Sequence, residues 1–180
     1  MGDYVKGHNY NDFPVNIKKG LILHRNIDTF TDKHPIVRQS KSYIAKKYRK
    51  YSGIIIDIVY DHFLSRNWMH YANCSLENFT QNVYRILSEN MDIFPEDVKE
   101  FVPSFVTNDW IGTYRTIEGI ERVLRKMSSR TTLPDETDFA ISILKEKYNQ
   151  IEREFLDYFP ELIGFVREKF DIDFTCFDPE

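Results

Sequence analysis

Breakers and cross-links are what this chain lacks. It has 7 glycines, 7 prolines and 2 cysteines in 180 residues. So few glycines and prolines leave long stretches without interruption, which argues against a β fold with many turns and for helices. Cys74 and Cys176 form neither a metal-type spacing nor a disulfide framework, and two unpaired thiols suit a reducing, cytoplasmic compartment. There is no charged-then-apolar leader and no apolar run long enough to cross a bilayer, so a soluble protein is expected. Strong overall basicity is also missing. The net charge is −4, and no recognised nucleic-acid-binding motif accompanies it, which argues against a nucleic-acid partner.

What is present is aromatic and unevenly charged. There are 14 Phe, 11 Tyr and 2 Trp residues, most of them expected to fill a core, Trp68 and Trp110 included. The chain is long enough for one domain with a full hydrophobic core, and no linker or repeat divides residues 1–180. Between Lys33 and Lys50 stand Lys33, Arg38, Lys41, Lys46, Lys47, Arg49 and Lys50, with no acidic residue among them. A second basic cluster comprises Arg122, Arg125, Lys126 and Arg130, and the chain beyond Pro134 is acidic. Such asymmetry creates a field that favours an anionic partner, although a solvated helix face would look the same.

The spacing of apolar residues predicts helices throughout. A short helix runs from Gly20 to about Phe30 and stops before His34-Pro35, because proline restricts the residue preceding it. A basic helix follows from Pro35 to Tyr48. Ser52 is placed to cap another, continuing to about Tyr71. Ser75 caps a helix with Leu76, Phe79, Val83, Ile86 and Leu87 at helical spacing. Pro95 suits the first turn of a short helix. Thr116 starts one with Ile117, Ile120, Leu124 and Met127 on one face. A last segment begins at Asp135, turns Phe139, Ile143, Tyr148, Ile151, Phe155 and Phe159 inward, and is kinked or broken at Pro160. The expected fold is an all-α, single-domain bundle.

Within it, Ile54 to Leu64 is apolar nearly all round and reads as a buried helix. It nevertheless carries Asp57, Asp61 and His62. A buried carboxylate is costly unless paired, hydrogen-bonded or bound to metal. Asp57 and Asp61 share a face at i and i+4, and His62 lies about 100° further round. Upstream, His24 and Asp28 are one turn apart, and Asp32 continues their face. One such pair is a weak signal, often an ordinary side-chain contact. Two on neighbouring helices resemble the way bundles build metal sites. Imidazole with carboxylates suits Mn²⁺, Fe²⁺, Zn²⁺ or Mg²⁺, and the lack of thiolates disfavours a closed structural zinc site. Arg25 is available to hold a phosphate, or to pair with an acid one turn away.

These residues resemble the acyl carrier protein phosphodiesterase family, identified as a divergent branch of the HD-type metal-dependent phosphohydrolases. The likeness rests on Gly2-Asp3-Tyr4-Val5-Lys6-Gly7, on His24-Arg25-Asn26-Ile27-Asp28-Thr29-Phe30-Thr31-Asp32, on the stretch from Asp57 to Trp68, and on Met127-Ser128-Ser129-Arg130. It implies a helical bundle and removal of 4′-phosphopantetheine from the serine of holo-acyl carrier protein with a divalent metal, typically Mn²⁺. It further implies Asp3, His24, Asp28, Asp61 and His62 as metal ligands or their flanks. Arg25 steadies phosphate in that scheme, and Asp57 and Asp61 assist ligand orientation or proton transfer. The basic side chains Lys41, Lys46, Lys47, Arg49 and Lys50 then face the acidic carrier protein. An apolar, histidine-containing lead-in precedes the Gly-Asp element in that family. Here Met1 abuts Gly2, so a late start or a lost segment is expected. A small phosphoester substrate, or carrier binding without chemistry, are the alternatives.

Overall fold

The computed structural model describes residues 13–172, and among these every regular element is helical. The long helices are α1 (Val15–Lys33), α2 (Pro35–Tyr48), α3 (Ser52–Arg66), α5 (Leu76–Glu89), α6 (Glu96–Thr107), α8 (Ile117–Arg130), α9 (Thr137–Glu146) and α10 (Tyr148–Phe170). Two single turns, α4 (Trp68–Tyr71) and α7 (Trp110–Thr113), join them. The all-α expectation holds. No described helix is long and apolar enough to cross a membrane.

The boundaries follow local chemistry where a cap or proline acts. Pro35 opens α2 at its first position, and His34, held in extended backbone before it, ends α1. Ser75 accepts from Asn78 N–H at 3.1 Å, and Thr116 accepts from Gly119 N–H at 3.0 Å, each starting its helix as expected. Elsewhere the structure corrects the sequence reading. Ser52 is not a cap, since its hydroxyl donates back to Arg49 O at 2.6 Å. Helix α3 ends at Arg66 rather than Tyr71. Asn67 occupies its C-cap, with its amide side chain donating to Phe63 O at 2.9 Å. Pro95 stands just before α6 rather than within its first turn.

The C-terminal segment breaks at Lys147, between α9 and α10, while Pro160 lies inside the uninterrupted α10. Pro160 is exposed, so water can take up the carbonyl that its missing N–H leaves unbonded. The break shifts the helical phase. Ala140, Ile141 and Leu144 are buried in α9, and the expected Phe139 and Ile143 are only half-buried. Cys74, the one described cysteine, is disulfide-bonded. The expectation that Cys74 is an unpaired thiol is corrected.

Helix α3 is the centre of the bundle, packed against α2, α8 and α10. Ile55, Ile56, Val59 and Phe63 from it are almost wholly inaccessible, in one cluster with Val37 and Ile44 of α2, Ile120 and Leu124 of α8, and Ile151 and Phe155 of α10. A smaller cluster of Phe94, Val98 and Val102 supports α5 and α6 away from it. Trp68 and Trp110 are half-buried in packing roles, Trp68 against Phe79 and Trp110 against Phe101 and Phe105.

Candidate functional site

Residues of helices α1, α3 and α10 line a cleft of about 650 Å³. Its chemistry follows from helical spacing. Residues 24, 28 and 32 succeed one another at one-turn intervals, so His24, Asp28 and Asp32 line one wall from α1. Asp57 and Asp61, also one turn apart, line the wall from α3. Phe155, Tyr158, Phe159 and Leu162 close the third side from α10. The cleft thus joins an acidic half to an aromatic one.

Helix α3 is not buried all round. Ile54, Asp57 and Asp61 form an open stripe on it, and the acids use it. Asp61 is exposed within the cleft, with protein packed closely around it. That crowding, followed by the like charge of Asp57, pushes its carboxyl up to about 7. On the opposite wall, His24 Nδ1 lies 3.0 Å from Asp28 Oδ2. The angle is not that of a hydrogen bond, and this buried nitrogen has no hydrogen-bond partner among the described residues.

Two tyrosines brace the cleft from behind. Thr31 Oγ1 donates to Ile27 O at 2.8 Å and stands 2.6 Å from the Tyr158 hydroxyl, which therefore donates to it. Burial, with smaller effects from Asp57 and Asp28, pushes the Tyr158 phenol up to about 12. Tyr60 reaches Ser40 Oγ at 2.8 Å, and Ser40 in turn donates to Glu154. Burial raises the Tyr60 phenol as well. Both tyrosines stay protonated and fixed.

The structure brings together His24, Asp28, Asp57 and Asp61, with Asp32 beside them. It does not bring His62 to them. His62 is 1% exposed, and its Nδ1 and Nε2 are each 2.8 Å from a partner, Tyr114 O and the Tyr148 hydroxyl. A carbonyl can only accept, so Nδ1 carries the proton and Nε2 accepts from Tyr148. Burial lowers the pKa of this imidazole. Both nitrogens are committed, and His62 is corrected from candidate ligand to core residue. Arg25 is half-buried on α1 and does not line the cleft. Asp3 lies outside the described residues. Thr31, Tyr60 and Tyr158 were missed, because a tyrosine or threonine on an apolar helix face reads as packing.

Imidazole with several carboxylates is a donor set for a hard or borderline divalent cation, and the His24 nitrogen, which makes no hydrogen bond among the described residues, fits that use. Among the described residues no three His, Cys, Asp or Glu side chains already converge on a single ion position.

A sequence model of the family described as acyl carrier protein phosphodiesterase matches residues 1–162. The chain is 26% identical over 170 residues to an acyl carrier protein phosphodiesterase of Yersinia pestis, covering 94% of this chain and 88% of that one. It is 28% identical over 173 residues to proteins of the same name from Enterobacter and Escherichia coli, with the same coverage. No solved structure matches it. With nine-tenths of its length matched and the acidic cleft built from the matched region, the chain belongs to the acyl carrier protein phosphodiesterase family.

Proposed function

We propose that this protein is a phosphodiester hydrolase that releases 4′-phosphopantetheine from the serine of holo-acyl carrier protein, leaving the apo carrier. The observation that carries this reading is the α1–α3–α10 cleft. It is large enough for a phosphodiester and a length of the pantetheine arm, acidic on one side and aromatic on the other. Its acids lie within the family match.

A divalent cation, Mn²⁺ first among the candidates, belongs to the proposal, with His24, Asp28 and Asp61 as its holders. When bound, such an ion supplies charge to a phosphoryl oxygen and acidifies water. The remaining chemistry falls to the chain. Asp57, one turn before Asp61 on the same wall, orients a ligand or assists proton transfer. The raised Asp61 carboxyl is poised to exchange a proton near neutral pH. Phe155, Phe159 and Leu162 offer an apolar wall to the pantetheine arm. An HD-type ancestry forms part of the same reading, supported by the His24–Asp28 pair facing an aspartate of a neighbouring helix.

The carrier protein meets α2 in this scheme. Lys41 is bonded to Asp32 and Lys47 to Glu136. Lys50 lies over the Tyr51 ring, while Lys46 and Arg49 are exposed. These side chains lie at the junction of α2 and α3, and an acidic helix would be steered there.

Incubation with Mn²⁺ and holo-acyl carrier protein, followed by the intact mass of the carrier, tests the reading. Loss of one phosphopantetheine is the expected result. An unchanged carrier contradicts it, and turnover of a generic phosphodiester beside an unchanged carrier points to a small substrate instead.

A further inference from the structure

The described lining of the cleft is rich in carboxylates. Asp28, Asp32, Asp57 and Asp61 face it, and no lysine or arginine is among the described residues that line it. A phosphodiester that reaches this lining brings more negative charge to it, and a cation at the cleft mouth would offset that charge beside a bound metal ion.

Lys41 is placed to do so. It belongs to α2, outside the cleft, yet its Nζ lies 2.6 Å from Asp32 Oδ1 on the cleft wall. Its side chain reaches there across α3 at Gly53. A β-carbon added at Gly53 would stand 3.5 Å from Lys41 Cε and 3.6 Å from Nζ. Gly53 is one turn before Asp57 and shares its face, so the ammonium rests at the mouth of the cleft, between the acidic walls of α1 and α3. The Lys41 side chain is 20% exposed against 73% for Asp32. A lysine this covered has already lost much of its rotamer freedom, which lowers the ordering cost of binding an anion. An ammonium has three N–H donors. One goes to Asp32, leaving donors for another acceptor.

We propose that Lys41 binds the phosphodiester of the substrate, with Asp32 and the bare α3 surface at Gly53 holding its ammonium at the cleft mouth. This deepens the phosphodiesterase reading and rests on it, moving Lys41 from the carrier-facing surface to the ester itself.

The alternative is that the Lys41–Asp32 pair merely ties α1 to α2. The two partners of the pair separate these cases. Lys41→Met, Lys41→Arg and Asp32→Asn are compared with wild type in three measurements on the full chain, with Mn²⁺ in the kinetic assays. These are melting temperature, calorimetric titration with inorganic phosphate, and KM and kcat for holo-acyl carrier protein and bis(p-nitrophenyl) phosphate. The proposal expects Lys41→Met to weaken phosphate binding and raise both KM values about tenfold, with kcat within about threefold, as for one lost charged hydrogen bond. Lys41→Arg recovers part of this, and Asp32→Asn does not weaken phosphate binding. A tether alone predicts that Lys41→Met and Asp32→Asn lower the melting temperature alike and leave phosphate affinity and KM unmoved. That result overturns the proposal, as does a wild-type protein that binds no phosphate. If wild type hydrolyses neither ester, the phosphodiesterase reading fails, and the phosphate titrations still judge Lys41.

Discussion

Asp61 and His62 are neighbours in sequence and opposites in surroundings. Asp61 looks into the acidic cleft, crowded by protein and by Asp57. His62 looks into the core, where Tyr114 O and the Tyr148 hydroxyl occupy both its nitrogens. The contrast extends to the two histidines first paired as ligands. His24 Nδ1 has no described hydrogen-bond partner in a cleft wall, whereas His62 has none left to gain. A titratable residue in an apolar helix is therefore not by itself a site. What separates a functional group from a structural one is whether its hydrogen-bonding capacity is already spent.

The largest effect should come from the cleft side. Asp61→Asn and His24→Ala are expected to lower turnover of holo-acyl carrier protein at least about 100-fold and to reduce divalent-metal affinity at least tenfold, the scale of losses at metal sites. Urea unfolding should show little loss of stability in Asp61→Asn. A comparable loss from an Asp57→Asn control without change in metal affinity would assign that carboxylate to orientation alone.

On the core side, His62→Ala should be primarily a stability mutation. It removes a fully enclosed ring and strands the Tyr114 carbonyl and the Tyr148 hydroxyl, at an expected cost of about 2–5 kcal/mol in urea unfolding. Activity per folded molecule should survive. Selective loss of activity with unchanged stability would break the comparison at its centre.

The same two residues should tilt stability in opposite directions with pH. The His62 pKa is lowered below 6.5 in the folded state. The unfolded chain then takes up a proton that the folded one resists, and stability falls as the pH drops through 6.5. Asp61 is raised from 3.8 to about 7. The folded state holds the extra proton between those values, and stability falls as pH rises across them. In the metal-free protein, Asp61→Asn should flatten the second slope, each group contributing no more than about 1.4 kcal/mol per pH unit. Urea titrations at several pH values measure both slopes, and an unchanged profile in Asp61→Asn would remove Asp61 as their source.

Tyr158→Phe should show the smallest change. It deletes the bond to Thr31 behind the cleft and should cost about 1 kcal/mol in thermal unfolding, with metal affinity unaltered. A loss of metal binding instead would move Tyr158 from bracing the wall to shaping the site.

Local signals carried much of the fold and part of the site. Pro35, Ser75 and Thr116 act through backbone geometry or a cap within a few residues, so the helices they open were legible. The end of α3 turned on Asn67 bonding back to Phe63, and the break at Lys147 has no glycine or proline to announce it. In the cleft, His24 with Asp28 and Asp57 with Asp61 were legible because one helical turn places each pair on one face. The exclusion of His62 was not, since it depends on Tyr114 and Tyr148, which lie 52 and 86 residues away. Lys41 looked like part of a solvated basic face until Asp32 and Gly53 were seen beside it.

Mn²⁺ binding, followed by the loss of the free-ion electron paramagnetic resonance signal, tests the division between the two sides most directly. It should be compared in wild type, Asp61→Asn and His62→Gln under conditions where each is folded. Binding should weaken at least about tenfold in Asp61→Asn and stay within about twofold of wild type in His62→Gln. Weakened binding in His62→Gln beside wild-type affinity in Asp61→Asn would contradict the account.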